Sequence, residues 1–175
     1  MPKISKPIPS EIVKFLAYSE ESPSCLIWSQ VVPRSKVELG SPAGYCDSKG
    51  RWVVKYKGSL YKAHRIVWYL HHLTLDPNLE VDHVDRNPSN NLVSNLRIAT
   101  TSQNNQNKET LSTKLSGLPK GINRSLSPGT GDGYLVARVY SNGASVSRSG
   151  YSLSDLEDWI QEERLRQHGA FANNG

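Results

Sequence analysis

Asp82 sits directly before His83 in a stretch, from Glu80 to Asn107, that is otherwise crowded with asparagines. These residue types can do one kind of chemistry together. A carboxylate such as that of Asp82 and an amide oxygen such as that of Asn104 can hold a hard divalent cation, which prefers oxygen ligands and keeps several waters. A neutral imidazole near pH 7, here His83, can take a proton from an attacking water. A cation on a phosphate neutralises the charge that develops as the ester breaks. The set therefore points to hydrolysis of a phosphodiester.

The elements around these residues must bring them to one place. Glu80 to Val84 reads as a strand. Asp85-Arg-Asn-Pro-Ser-Asn is turn chemistry, because Pro88 cannot continue a ladder and Asn and Asp favour turns. Asn95 to Ala99 reads as a returning strand. Thr100 or Thr101 can cap a helix that runs to about Lys108. Successive strand residues point to opposite sides, so Asp82 and His83 can share a site only if the strand ends or twists there.

Upstream, Ser10 can cap a short helix over Glu11 to Tyr18, with Ile12, Phe15 and Leu16 on one face. Cys25 to Trp28 reads as a strand and Val32 to Ser41 as a loop. Gly44 to Asp47, Arg51 to Lys57 and Leu60 to Ala63 read as a small antiparallel meander. Trp52, Val54 and Tyr56 share one face of its middle strand. Arg51, Lys55 and Lys57 share the other. Arg65 to Leu73 reads as a helix with Ile66, Val67 and Leu70 in the core. His64, His71 and His72 flank or end it. His71 and His72 are adjacent and do not share a helix face, so surface roles are expected of them. For His64 a phosphate contact and a structural contact both stay open.

Charge points to a polyanion. The 175 residues carry a net charge of +5. From Lys49 to Arg65 there are six cations, Lys49, Arg51, Lys55, Lys57, Lys62 and Arg65, and no acidic residue. Such lysines also block edge-to-edge strand association, which is the blander role. Mean hydropathy is −0.52 and hydrophobic residues make up 37%, enough for a modest core. Cys25 and Cys46 form no Cys-x-x-Cys pair, so no cysteine-ligated zinc site is visible; buried thiols are expected. No apolar run reaches membrane-spanning length and no signal segment is apparent, so a cytoplasmic protein is expected.

The string Val81-Asp-His-Val-Asp, followed by Asn91-Leu-Val-Ser-Asn-Leu-Arg and Thr100-Thr-Ser-Gln-Asn-Asn-Gln-Asn, resembles the HNH endonucleases of the phage and intron homing type. The resemblance spans roughly residues 8 to 110. It implies a ββα-metal core over about 64–108, with His83 as general base and Asn95 bracing the loop between the strands. It places Asn104 as metal ligand together with Asp82, with the adjacent Asn105 as the alternative. Some relatives carry His where this chain has Asn104, and Asn binds metal more weakly. The implied cofactor is a divalent metal, Mg²⁺ or Mn²⁺. The implied products are 5′-phosphate and 3′-hydroxyl ends, and the implied origin is a phage or mobile element, acting in the host cytoplasm if phage-encoded.

The C-terminal part reads as a separate module. Leu111 to Gly117 is polar and suits a linker. Gly121 to Asn123, Tyr134 to Tyr140 and Ser145 to Tyr151 read as strands, with Asn142-Gly143 a hairpin signal. Ser152 to Gln167 reads as a helix with Ser154 as cap and Leu156, Trp159 and Ile160 buried. Lys120-Gly-Ile, Tyr134-Leu-Val-Ala-Arg-Val, Gly150-Tyr151 and Arg166-Gln-His-Gly-Ala-Phe-Ala resemble the apetala-type domain of plant ethylene-response factors. That family lays its sheet in the DNA major groove. A Trp expected in its strands is absent here, and Ser127 to Gly133 lengthens its first turn. A packing or oligomerisation module is the plainer alternative. Residues 117–151 hold four cations and one anion, whereas 152–167 hold two cations and five anions. A basic sheet backed by an acidic helix fits DNA on the sheet side.

The fold class expected is thus α+β: an N-terminal helix, meander and nuclease core over 1–110, a linker over 111–117, and a three-stranded sheet packed on one helix over 118–175. The expected activity is metal-dependent cleavage of double-stranded DNA by a monomer or homodimer, with no membrane and no small-molecule substrate. Lys55, Lys57, His64, Arg65, Arg97, Arg124, Arg138 and Arg148 are the expected DNA contacts. The competing functions are a DNA-binding regulator with an inert centre and a structure-specific repair nuclease.

Overall fold

The computed structural model describes residues 6–107, 117–128, 130–141 and 143–172. The chain divides into two units, Met1–Thr101 and Ser102–Gly175. Apart from Gly117, the expected linker lies outside the described residues, as does Asn142 of the hairpin signal.

In the first unit the N-terminal helix is shorter than its pattern suggests. A 3-10 helix covers Ser10–Lys14 and has no side-chain cap; Pro9 holds the position before it. Strand β1 then takes Leu16–Tyr18. The spacing of Ile12, Phe15 and Leu16 suits a helix, but long-range pairing decides the matter. Leu16, Ala17 and Tyr18 pair antiparallel with Trp28, Ile27 and Leu26 of β2, Leu26–Trp28. This ladder buries Leu16, Leu26 and Trp28 in one core with Ile12.

The meander forms as expected, in the order β3 (Tyr45–Cys46), β4 (Trp52–Tyr56), β5 (Ser59–Lys62). Tyr56 pairs with Ser59 across a two-residue turn, Lys57-Gly58. Both turn residues have positive φ, 47° and 75°, as the tightest hairpin turns demand. Val54 and Tyr56 are buried while Lys55 is exposed. Helix α1, Ala63–His72, follows β5 without a break. Ile66 and Val67 are fully buried, worth roughly 1.5–3 kcal/mol each in transfer from water. The helix ends at Leu73, which adopts the left-handed conformation at φ 55°.

Strands β6 (Glu80–His83) and β7 (Leu96–Ala99) form an antiparallel pair. Their register sets Asp82 opposite Arg97 and His83 opposite Leu96. Val81 and Leu96 join the core of the first unit. A helix, α2, follows over Thr101–Asn107.

The second unit carries a three-stranded antiparallel sheet in the order β10-β9-β8: β8 is Ile122–Leu126, β9 Gly133–Ser141 and β10 Ala144–Gly150. Helix α3, Leu153–His168, closes one face of it. Ile122, Ala137, Val139, Leu156 and Ile160 form its core. The cap of α3 is Ser152, whose hydroxyl accepts from the Asp155 N–H at 3.3 Å. Ser154, the expected cap, instead meets Ser152 through its hydroxyl. Placing the cap at Ser152 puts Asp155 in the first turn, where the helix dipole favours a carboxylate.

Gly121 enters β8 with φ 82°. A Cβ there would lie 2.7 Å from Ile160 Cδ1 and 2.9 Å from the Arg138 carbonyl oxygen. This position needs glycine twice over, for its backbone and for its space.

Candidate nuclease site

Asp82 and His83 are both buried, at 7% and 9% exposure. Burying a charge or a polar ring is costly without partners, and each has them. Arg97 Nε donates to Asp82 Oδ2 at 3.0 Å, and Nη2 lies 3.0 Å from the same oxygen as an ion pair. The cross-strand register produces this pair directly, because facing residues of an antiparallel ladder project to the same side.

His83 has different company. Its Nε2 lies 3.1 Å from Asn91 Oδ1. Its ring meets that of His64 edge to face, with centroids 4.8 Å apart. β6 ends at His83, and the chain turns at once, with the Arg86 N–H donating to the His83 carbonyl at 3.1 Å. Burial holds the His64 imidazole well below its usual pKa, and His83 adds to the effect. His64 is therefore a neutral ring at pH 7.

Asn95 ties the loop between the strands. Its Oδ1 accepts from the Asp85 N–H at 3.0 Å. Its Nδ2 donates to Asp85 Oδ1 and to the Asn90 carbonyl, both at 2.9 Å. Its own carbonyl accepts from Val84 N–H. Burial works against ionisation of Asp85, but hydrogen bonds from Asn90 and Asn95 outweigh it and hold the carboxyl below the usual range.

Several residues expected against DNA stand elsewhere. His64 and Arg65 are buried, at 7% and 5% exposure, because α1 begins two residues earlier than its pattern suggests and turns both inward. Arg65 reaches the Lys6 carbonyl. Lys57 is exposed but pairs with Glu11 at 2.6 Å. Arg97 is committed to Asp82. Lys55 is exposed. His71 and His72 end α1 at the surface; His71 Nδ1 lies 2.9 Å from the Val67 carbonyl and His72 stacks on Trp68.

In the second unit Asn104 and Asn105 lie on α2, half-buried and exposed respectively. The three sheet arginines are exposed but do not share a face. Arg124 pairs with Leu135 and Arg148 with Ala137, so both project to the side that α3 packs on. Arg138, between Ala137 and Val139, projects to the open side, with Tyr134 and Tyr140. Arg138 Nη1 donates to the Tyr140 hydroxyl at 3.3 Å.

Sequence reasoning missed Asn91 as a partner of His83. Nothing in the run Asn90-Asn91 marks one of them for the core, and only burial separates them.

Among the described residues no cluster of three or more His, Cys, Asp or Glu could hold a metal ion. The Asp82 carboxylate is an oxygen donor of the kind a hard divalent cation prefers, and Arg97 contacts a single one of its oxygens.

Comparison with known proteins agrees with this arrangement at the level of the domain. Residues 61–106, from β5 to α2, match the family described as HNH endonuclease. Protein 3.8 of Escherichia phage T7 is 31% identical over 115 residues, which cover 64% of this chain and 91% of that protein. The chain therefore belongs to the family of that phage protein and carries an HNH endonuclease domain. Such a domain indicates nucleic-acid endonuclease activity, and HNH nucleases generally use divalent metal ions. No solved structure matches the chain. No helix among the described residues is long and apolar enough to cross a membrane.

Proposed function

We propose that the chain is a homing-type DNA endonuclease of phage origin, acting in the host cytoplasm. It hydrolyses one phosphodiester per visit, with His83 as general base. The observation that carries this reading is a buried acid followed by a buried imidazole at the end of β6, each oriented by its own partner.

In this reading the His83 imidazole takes the proton of the attacking water. Asp82 offers a carboxylate oxygen to a divalent cation, Mg²⁺ or Mn²⁺, while Arg97 fixes the orientation of the carboxylate. Asn104 supplies the second protein ligand; the family resemblance alone assigns it that role. The bound cation would offset charge on the scissile phosphate and on the leaving oxygen. Asn95 holds the loop that carries the chain from β6 to β7. The products are a 5′-phosphate and a 3′-hydroxyl. A double-strand break then needs a second copy or a second visit.

The second unit is proposed to bind double-stranded DNA as an apetala-type module. Three antiparallel strands on one helix support this, as does an open face bearing Arg138 between two tyrosines. Arg124 and Arg148 would reach phosphates from the sheet's edges, and Lys55 would add a contact from the first unit.

The test is plasmid cleavage with Mg²⁺ by the full chain and by His83→Ala, Asp82→Ala and Asn104→Ala. Loss of a positioned general base costs about 10²- to 10⁴-fold, and a comparable loss is expected for each ligand. Cleavage that survives His83→Ala removes the site assignment. Retained DNA binding with no cleavage of linear, plasmid or branched DNA makes the chain a regulator. Cleavage confined to branched DNA makes it a structure-specific nuclease.

A further inference from the structure

We propose that Asn91 is a positioning residue that fixes the tautomer of His83, putting the ring proton on Nε2 and the lone pair on Nδ1. This rests on the reading of His83 as general base.

Asn91 is 1% exposed, against 9% for His83 itself. Its side-chain amide makes a contact at each end. One end lies 3.3 Å from the Ser24 carbonyl and the other 3.1 Å from His83 Nε2. A backbone carbonyl can only accept, so the end facing Ser24 is the NH₂ group. The end facing His83 is then the oxygen, which can also only accept. The proton between them must therefore belong to Nε2. A neutral imidazole carries one ring proton, so the lone pair sits on Nδ1.

The anchor is rigid at each link. Ser24 is fully buried, and its hydroxyl bonds the Leu26 carbonyl at 3.0 Å and the Ser22 hydroxyl at 3.3 Å. The neutral His64 ring stands edge-on to His83 and limits its rotation. A general base of the wrong tautomer presents a proton where a lone pair is needed. The tautomer is thus chosen by a residue that is itself closed off from solvent.

The experiment uses ¹⁵N-labelled full chain. Two-bond ¹⁵N–¹H correlations distinguish a protonated ring nitrogen from one bearing a lone pair, and His83→Gln identifies the signal among five histidines. In the wild-type chain the neutral ring is expected with its proton on Nε2; a proton on Nδ1 overturns the proposal with no variant needed. Asn91→Leu keeps the approximate volume and removes the acceptor. It is expected to give mixed tautomers and a kcat for plasmid cleavage about 10- to 100-fold lower, with KM for DNA unchanged. Asn91→Asp keeps an oxygen toward His83 and is expected to restore the Nε2 proton and part of kcat. A wild-type tautomer and kcat in Asn91→Leu overturn the proposal. If His83→Ala itself leaves cleavage intact, the base assignment falls, whereas the wild-type tautomer still reports on Asn91.

Discussion

Arg97 and Asp82 face each other across the β6–β7 ladder, and two guanidinium nitrogens of Arg97 converge on one carboxylate oxygen of Asp82. The side chains are 15% and 9% exposed, so little water replaces either partner. Arg97→Ala is expected to cost about 3 kcal/mol, mainly by leaving a buried carboxylate without its cation. Urea unfolding reads this as a lower midpoint. Arg97→Lys should recover part of the loss, because a point charge cannot reproduce the two-nitrogen grip. A midpoint unchanged in Arg97→Ala would contradict the pairing.

The buried neutral ring of His64 makes stability fall in mild acid. Its pKa in the folded chain is depressed by burial and then by His83. The unfolded chain binds its proton below about pH 6.5. Between that value and the folded pKa the unfolded state holds more protons, so unfolding becomes easier as pH drops. The contribution is complete above about 6.5 and is lost toward the folded pKa. Denaturant midpoints measured from pH 7.5 to pH 5 should decline, and His64→Gln should flatten that decline. A slope identical in the two chains would refute the account.

Leu73 closes α1 in the left-handed conformation with 73% of its surface exposed. A side chain there strains the backbone and gains little from burial. Leu73→Gly is expected to raise stability by about 1 kcal/mol, as glycine does at this helix-terminal position. Thermal melting measures it. A decrease would mean that the leucine makes contacts worth more than the strain.

Gly121→Ala should have the opposite sign. The Cβ would force Ile160 and the Arg138 carbonyl apart at the floor of the second unit's core. The expected loss is about 2 kcal/mol or more, from positive φ and from crowding together. Hydrogen exchange of the β9 amides locates the effect: protection should drop there and persist in the β6–β7 pair.

Arg138 is the sheet arginine on the open side, so it separates the DNA reading from a packing module. Arg138→Ala should weaken duplex binding and lower the slope of log affinity against log salt by about one. Arg166→Ala is the control: this residue is held by Glu163 on α3 and should leave the slope unchanged. Equal behaviour of the two variants would favour a module that packs rather than binds DNA.

Much of the architecture was legible before any coordinates. Period-two alternation marked β4, glycine and asparagine marked the turns, and the spacing of Asp82, His83, Asn95 and Asn104 marked the nuclease resemblance. These signals are local, and the strand–loop–strand–helix order over residues 80–107 follows from them. What the sequence could not decide was partnership. Leu16–Tyr18 left a helical pattern because β2 offered a ladder. Arg124 and Arg148 fell on the helix side of their sheet because pairing register, not composition, assigns faces. His64 turned inward against His83, and one asparagine among neighbours, Asn91, became the partner of the imidazole. Each of these depends on a residue distant in the chain arriving at hydrogen-bonding or van der Waals range. Side-chain type and spacing therefore marked the nuclease domain; the packing of Ser24, Asn91 and His64 around His83, and of Arg97 against Asp82, decided how those groups are held.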